Sequence, residues 1–156
     1  MPTVRVTELV GAPPERVWAA HVDGARIPEW FPGVRSVRAI SGPLDRVGTT
    51  YTLRFNPLVR SRVEVTEVEA PVMHTRLWDA RPFGSHGRAT VLLRAEDGGT
   101  RMDLDVAYAL PFGPLGRLFE GLSWVRHRAA RNVRLELHAF ALFAEGRRRR
   151  GGHLSE

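Results

Sequence analysis

The last third of this chain reads as helix from about Pro114 to Glu145, far longer than an ordinary globular helix. Its apolar residues Leu115, Leu118, Leu122, Val125, Ala129, Val133, Leu137, Phe140 and Ala144 step by three or four, so one stripe runs its whole length. At 1.5 Å per residue the stripe spans roughly 45 Å. That is too long for a neighbouring helix of ordinary size and well matched to the concave face of a curved sheet. An arrangement of this kind leaves a hollow between helix and sheet.

The sequence before the helix supplies the sheet. Thr3 to Val10 alternates, with Val4, Val6 and Val10 on one face. Ala12-Pro13-Pro14-Glu15 then starts a short helix, because proline suits the first turn and an early glutamate favours the positive end of the helix dipole. A proline-bounded turn, Ile27 to Gly33, follows it. From Val34 the pattern has period two, predicting strands at about 34–41, 47–56, 60–70, 72–81, 85–97 and 100–110. Turn-formers such as Asn56-Pro57, Ala70-Pro71 and Asp97-Gly98-Gly99 separate them, and connections this short cannot cross over. The sheet is therefore expected to be antiparallel.

Composition bounds the chemistry. A chain of 156 residues, 43% hydrophobic, fits one domain, expected over residues 1–146. The absence of cysteine excludes disulfides, thiolate nucleophiles and thiolate metal sites. All 23 basic residues are arginine, which also excludes Schiff-base chemistry on lysine. The formal charge is +6, but Arg147 to Arg150 leave 19 arginines against 17 carboxylates, or +2, for the rest. Residues 147–156 are expected to form a solvated, disordered tail with, at most, weak contact to anionic surfaces. With no signal-peptide pattern and no apolar run near the roughly 20 residues a membrane span needs, the sequence reads as soluble and cytoplasmic.

Several local patterns come in a suggestive order: Ala12-Pro13-Pro14-Glu15-Arg16-Val17-Trp18, the Pro28-Glu29-Trp30-Phe31-Pro32 turn, Val47-Gly48, Gly98-Gly99-Thr100, and Gly113-Pro114-Leu115-Gly116-Arg117-Leu118. Over about residues 3–145 the chain resembles the START-like superfamily (SRPBCC, or Bet v 1-like), nearest its polyketide cyclase/dehydrase and lipid-transport branch. The resemblance implies an α+β helix-grip fold. In that fold a curved antiparallel sheet of six to seven strands wraps a long C-terminal helix, and two short helices follow the first strand. Members bind lipids, sterols, quinones, plant hormones or aromatic polyketides in a deep cavity, and a minority catalyse reactions on them. No defined catalytic set of the cyclases matches here residue by residue.

Candidate site residues follow from strand and helix faces. The resemblance implies that the turn carrying Trp30 and Phe31 borders the cavity mouth; the alternative is that the two aromatics staple the turn to the core. Tyr51, Leu53 and Phe55 share one strand face, and Met102, Leu104, Val106 and Tyr108 another, so both tyrosines could offer hydroxyls in an apolar pocket. Trp78 shares a face with His74 and Arg76, and parity alone leaves it inside or outside. Leu118, Leu122, Trp124 and Val125 bring the helix stripe to the cavity. His74, Tyr51 and Tyr108 are the acid–base candidates. His86 and Arg88 are expected to face solvent, as are Asp103 and Asp105, and His127 and His138 lie roughly 16 Å apart along the helix. Glu8 and Glu67 fall among valines and would need arginine partners, Arg54 or Arg62 being nearest by strand order. No histidine spacing suits a metal, and no phosphate loop or nucleophile elbow occurs. Neither cofactor nor metal is expected.

Three functions fit this reading. The first is a carrier or binding protein for a small hydrophobic or aromatic molecule of polyketide, lipid or quinone type. The second is a metal-free cyclase or dehydratase acting on a poly-β-ketone or aromatic precursor. The third, contact with nucleic acid or an anionic membrane through the arginine tail, ranks last because no aromatic stacking platform accompanies that tail. Whether the protein is an enzyme, and its oligomeric state, stay open.

Overall fold

Seven antiparallel strands form one curved sheet in the order β1-β7-β6-β5-β4-β3-β2 in a computed structural model, which describes residues 2–82 and 84–146. The arginine tail and its expected disorder lie outside the described residues. The strands are β1 (Thr3–Val10), β2 (Ser36–Arg38), β3 (Thr50–Arg54), β4 (Arg60–Glu69), β5 (Met73–Arg81), β6 (His86–Glu96) and β7 (Gly99–Ala109). β2 to β7 are a meander of hairpins, and β1 closes the far edge against β7. Between β1 and β2 the chain crosses from one sheet edge to the other through α1 (Pro14–His21), a 3-10 turn (Gly24–Arg26) and α2 (Ile27–Trp30). This is the helix-grip architecture.

Alternation assigns the two faces. β7 sends Met102, Leu104, Val106 and Tyr108 inward, while Asp103 and Asp105 face outward with Arg101 and Arg5. β6 matches it with Ala89, Val91 and Leu93 inside and His86 and Arg88 exposed. A register shift between Val65 and Glu67 interrupts β4 opposite Thr75, the kind of extra residue that bends a strand. Glu8 and Glu67 do not find Arg54 or Arg62. The Glu8 carboxylate pairs with His138 Nδ1 at 3.0 Å, and Glu67 accepts from the Thr75 hydroxyl at 3.3 Å.

The C-terminal segment departs from the expected single run. It forms α3 (Gly113–Glu120) and α4 (Ser123–Ala144), separated at Gly121 and Leu122. Gly121 keeps helical angles (φ −75°, ψ −13°) and the chain leaves the helix at Leu122, which is extended (φ −75°, ψ 132°), while the Glu120 carboxylate accepts from the Leu110 backbone N–H at 2.8 Å. α3 is thereby tied to the end of β7 rather than continuing the axis of α4. Helical periodicity carries across such a break unchanged. Leu115, Leu118 and Leu122, counted in the stripe, are exposed as a result. The C-terminal half of α4 carries the packing: Val133, Leu137, Phe140, Ala141 and Ala144 join the core beneath α1, α2 and β1.

Gly87 holds one wall of the fold in shape. It pairs with Trp78 on β5 and Tyr108 on β7, and a Cβ placed there would press on the Ala107 carbonyl and come within 2.7 Å of the Trp78 ring. The indole lies over the glycine for that reason. Gly87→Ala is expected to destabilise the domain by about 1–3 kcal/mol and to alter Trp78 emission, measurable by urea unfolding followed by fluorescence. Unchanged stability together with an unchanged spectrum would contradict this packing.

Candidate functional site: a cavity with one buried ion pair

Towards its N-terminal half, α4 stands off the sheet and leaves a cavity of about 490 Å³. Ligand pockets typically enclose about 300–1,000 Å³. β3 contributes Tyr51 and Leu53, β5 contributes Trp78, β7 contributes Tyr108, and Phe31 and Phe55 enclose one side, their rings edge to face at 6.0 Å. Trp124, Val125, Ala129 and Val133 form the α4 wall. Most of the surface is aliphatic or aromatic.

The remaining sequence candidates lie elsewhere. Trp30 is buried against Phe140, with ring centroids 4.9 Å apart, and only its neighbour Phe31 reaches the cavity. Met102 and Leu104 belong to the core behind it, around a void of about 10 Å³ shared with His21, Trp30 and Phe140. Leu118 and Leu122 are turned to the outside by the helix break. His74, an acid–base candidate, does not line the cavity either. It is 1% exposed and packed behind the wall.

Sequence reasoning missed the main polar group of the cavity, the ion pair between Arg76 on β5 and Glu136 on α4. Arg76 Nη2 donates to Glu136 Oε1 at 3.1 Å, with the side chains only 10% and 17% exposed. Both residues line the cavity and also the small void behind it, so the pair stands in the partition between ligand space and core. The signals were present. Arg76 lies between His74 and Trp78 in the strand alternation, and Glu136 stands next to Leu137 and three residues from Val133 on the helix stripe.

Burial sets the electrostatics of the pair. It pushes the Glu136 carboxyl above its usual range, and the Arg76 charge only partly opposes this. Burial also acts to lower the Arg76 guanidinium, but Tyr51 and Glu136 outweigh it, and the group ends above its ordinary value. The Tyr51 hydroxyl is near enough to influence Arg76 yet makes no hydrogen bond of good geometry. The Tyr108 hydroxyl is likewise buried without a partner, and desolvation raises it. Two unpartnered phenols and one buried ion pair give the apolar cavity several places to hold a ligand oxygen.

Behind the partition, His21 and His74 form a buried pair, Nε2 to Nδ1 at 3.2 Å, and His74 Nε2 lies 2.7 Å from the Leu44 carbonyl. A carbonyl only accepts, so His74 Nε2 carries the hydrogen and its Nδ1 accepts from His21 Nε2–H. Both rings are neutral. Burial lowers His74 to about 4, with Arg76 adding to the effect and the Leu44 bond opposing it, and burial drives His21 well down too.

The family profile described as polyketide cyclase/dehydrase and lipid transport matches residues 1–145. The chain belongs to this family. Solved structures of the same fold include DynU16, from the dynemicin biosynthetic locus, at 21% identity and a TM-score of 0.69 over 93% of this chain and 48% of that one. This chain therefore spans about half the length of DynU16. CalU16 from Micromonospora echinospora is 18% identical, with a TM-score of 0.66 over 95% of this chain and 77% of that one. Ara h 8.0201 is 14% identical, with a TM-score of 0.69 over 93% of this chain and 98% of that one. These likenesses show the fold, and none of the curated proteins matches the chain in sequence. Membership supports a hydrophobic ligand-binding or cyclase role. Among the described residues no helix is long and apolar enough to cross a membrane, and no histidine or carboxylate cluster could hold a metal ion.

Two outcomes test this description. With His74 near 4 when folded and about 6.5 when unfolded, the unfolded chain binds more protons between those values. Stability is then full above about pH 6.5 and declines towards pH 4 by on the order of 3 kcal/mol, with His21 acting in the same direction. Urea midpoints measured from pH 7 to 4.5 check this, and a His21→Phe/His74→Leu double variant is expected to flatten the upper part of the slope. Separately, Arg76→Met strands a buried carboxyl and is expected to cost about 3–5 kcal/mol, whereas adding Glu136→Leu recovers most of the loss. Equal stability of the single and double variants would contradict a buried pair.

Proposed function

We propose that the protein binds a small hydrophobic or aromatic molecule bearing at least one oxygen function, of polyketide, lipid or quinone type, as a carrier or binding protein. The observation that carries this reading is the cavity of about 490 Å³, whose apolar wall is interrupted by the Arg76–Glu136 pair and the unpartnered hydroxyls of Tyr51 and Tyr108. Burial of apolar ligand surface supplies about 25 cal/mol per Å². A carbonyl or phenol oxygen on the ligand would accept from the tyrosines or from Arg76, and this selects for an oxygenated ring or chain over a plain hydrocarbon.

The Glu136 carboxyl supports a second reading, a cyclase or dehydratase. A poly-β-ketone in the cavity would lose a proton from the carbon between two carbonyls to the Glu136 carboxylate, while Arg76 or a tyrosine stabilises the enolate oxygen. The enolate carbon then forms a bond to a second carbonyl carbon of the same chain. The oxygen of that carbonyl takes the proton back and becomes a hydroxyl. This reading needs no metal, and it assigns the chemistry to Glu136 rather than to His74.

Titration of the purified protein with naphthoquinones, polyphenols and fatty acids, followed by tryptophan fluorescence, tests the binding reading. Ala129→Trp, which places an indole inside the cavity from α4, is expected to weaken binding at least tenfold while leaving the fold intact by circular dichroism. Equal affinity of the variant and the parent, or a flat response across the panel, would overturn it.

A further inference from the structure

The outer surface of α3 runs counter to the usual arrangement of an amphipathic helix. Its one buried residue is Gly116, pressed against the Leu110 and Pro111 carbonyls, while Leu115 and Leu118 are 61% and 68% exposed and Phe119 is also outside. Phe112 precedes them in a left-handed backbone conformation, 70% exposed. Trp124, in the first turn of α4 just past the α3–α4 break, is 61% exposed and also lines the pocket, so a further exposed apolar side chain stands where the chain passes from α3 to the cavity. A soluble chain rarely leaves this many large apolar side chains together without a use for them.

The surrounding charge is one-sided. Between Leu110 and Leu135 there are five arginines, all exposed, and one carboxylate, Glu120, which is occupied by the Leu110 N–H. Aromatic and aliphatic side chains projecting from a short helix beside arginines that extend past them match the boundary between lipid headgroups and acyl chains. The patch is a projecting helix rather than a groove, so a deformable surface can receive it where a rigid partner would need a matching hollow.

We infer that α3, with Phe112 and Trp124, is a docking surface for an anionic lipid bilayer, inserting its apolar side chains among the acyl chains while Arg117 and Arg126 meet the headgroups. Docking there sets the cavity mouth against the bilayer. If the cavity is a ligand site, an apolar ligand then passes between protein and lipid without crossing water. The docking itself does not depend on that reading. It also differs from contact through the arginine tail, which is purely electrostatic.

Co-sedimentation of the full chain with vesicles of phosphatidylcholine alone, and of phosphatidylcholine with phosphatidylglycerol in equal parts, tests the inference at about 0.15 M salt. Binding is expected only to the anionic vesicles, with a blue shift of tryptophan emission that the Trp124→Phe variant loses. The Leu115→Ser/Leu118→Ser/Phe119→Ser variant is expected to bind at least tenfold more weakly at an unchanged melting temperature, and Arg117→Glu/Arg126→Glu several-fold more weakly. The Arg147→Ser/Arg148→Ser/Arg149→Ser/Arg150→Ser variant should preserve most of the binding. Failure of the parent protein to bind, undiminished binding by the triple serine variant, or complete loss in the tail variant would each overturn the inference. So would a dimer in sedimentation velocity that the triple variant dissolves, since a second copy would then cover the patch. Vesicle binding with no ligand binding would leave the docking standing and remove the carrier reading.

Discussion

The pairing of Arg76 with Glu136 ties the curved sheet to the long helix at the level where packed core gives way to open cavity. Two charges withdrawn from water stabilise little unless each has the other, and losing one is far more costly than losing both. The pair therefore works less as a source of stability than as a fixed polar feature in an apolar chamber. Its position also explains why the histidines do not reach the cavity: Arg76 and Glu136 lie between the cavity and the void that His21 borders. What the ligand space offers a guest is a guanidinium, a carboxyl that burial inclines towards protonation, and phenols.

α4 divides into two halves with different tasks. Its C-terminal half buries Val133, Leu137, Phe140, Ala141 and Ala144 and holds β1, α1 and α2 together. Its N-terminal half touches the sheet less and leaves the cavity beneath Trp124, Val125 and Ala129. A single amphipathic stripe serves both, because a concave sheet follows a straight helix closely at one end only. The Glu8–His138 contact joins the packed half to β1, and α3, set off from α4 by the extended backbone at Leu122, follows the end of β7.

Much of this was legible in the sequence. The strands, their antiparallel order and the long helix follow from periodicity and short turns, and alternation groups Tyr51, Leu53 and Phe55 on one strand face and Tyr108 with Met102, Leu104 and Val106 on another, without saying which face is inward. The errors have two physical origins. Helical periodicity is blind to a break: it carries Leu118 and Leu122 into the cavity, although the chain leaves helical geometry at Leu122 and both side chains are exposed. Strand parity, for its part, gives a face but not a depth along the strand. His74, Arg76 and Trp78 share a face, yet His74 sits in the core, Trp78 in the cavity, and Arg76 between them. Met102 and Leu104 were misplaced relative to Tyr108 for the same reason. Glu136 escaped notice because a carboxylate on a helix is ordinarily assumed to be solvated, and its arginine partner is 60 residues away in the chain.

Occupancy of the cavity is tested first by denaturing extraction of the protein purified from its native host, followed by mass spectrometry of the released small molecules. A near-stoichiometric apolar or aromatic compound carrying carbonyl or hydroxyl oxygen is expected, and the same compound is expected to be lost from the Ala129→Trp variant. Recovery of no such compound from either protein, or of a strongly polar metabolite held equally by both, would contradict it.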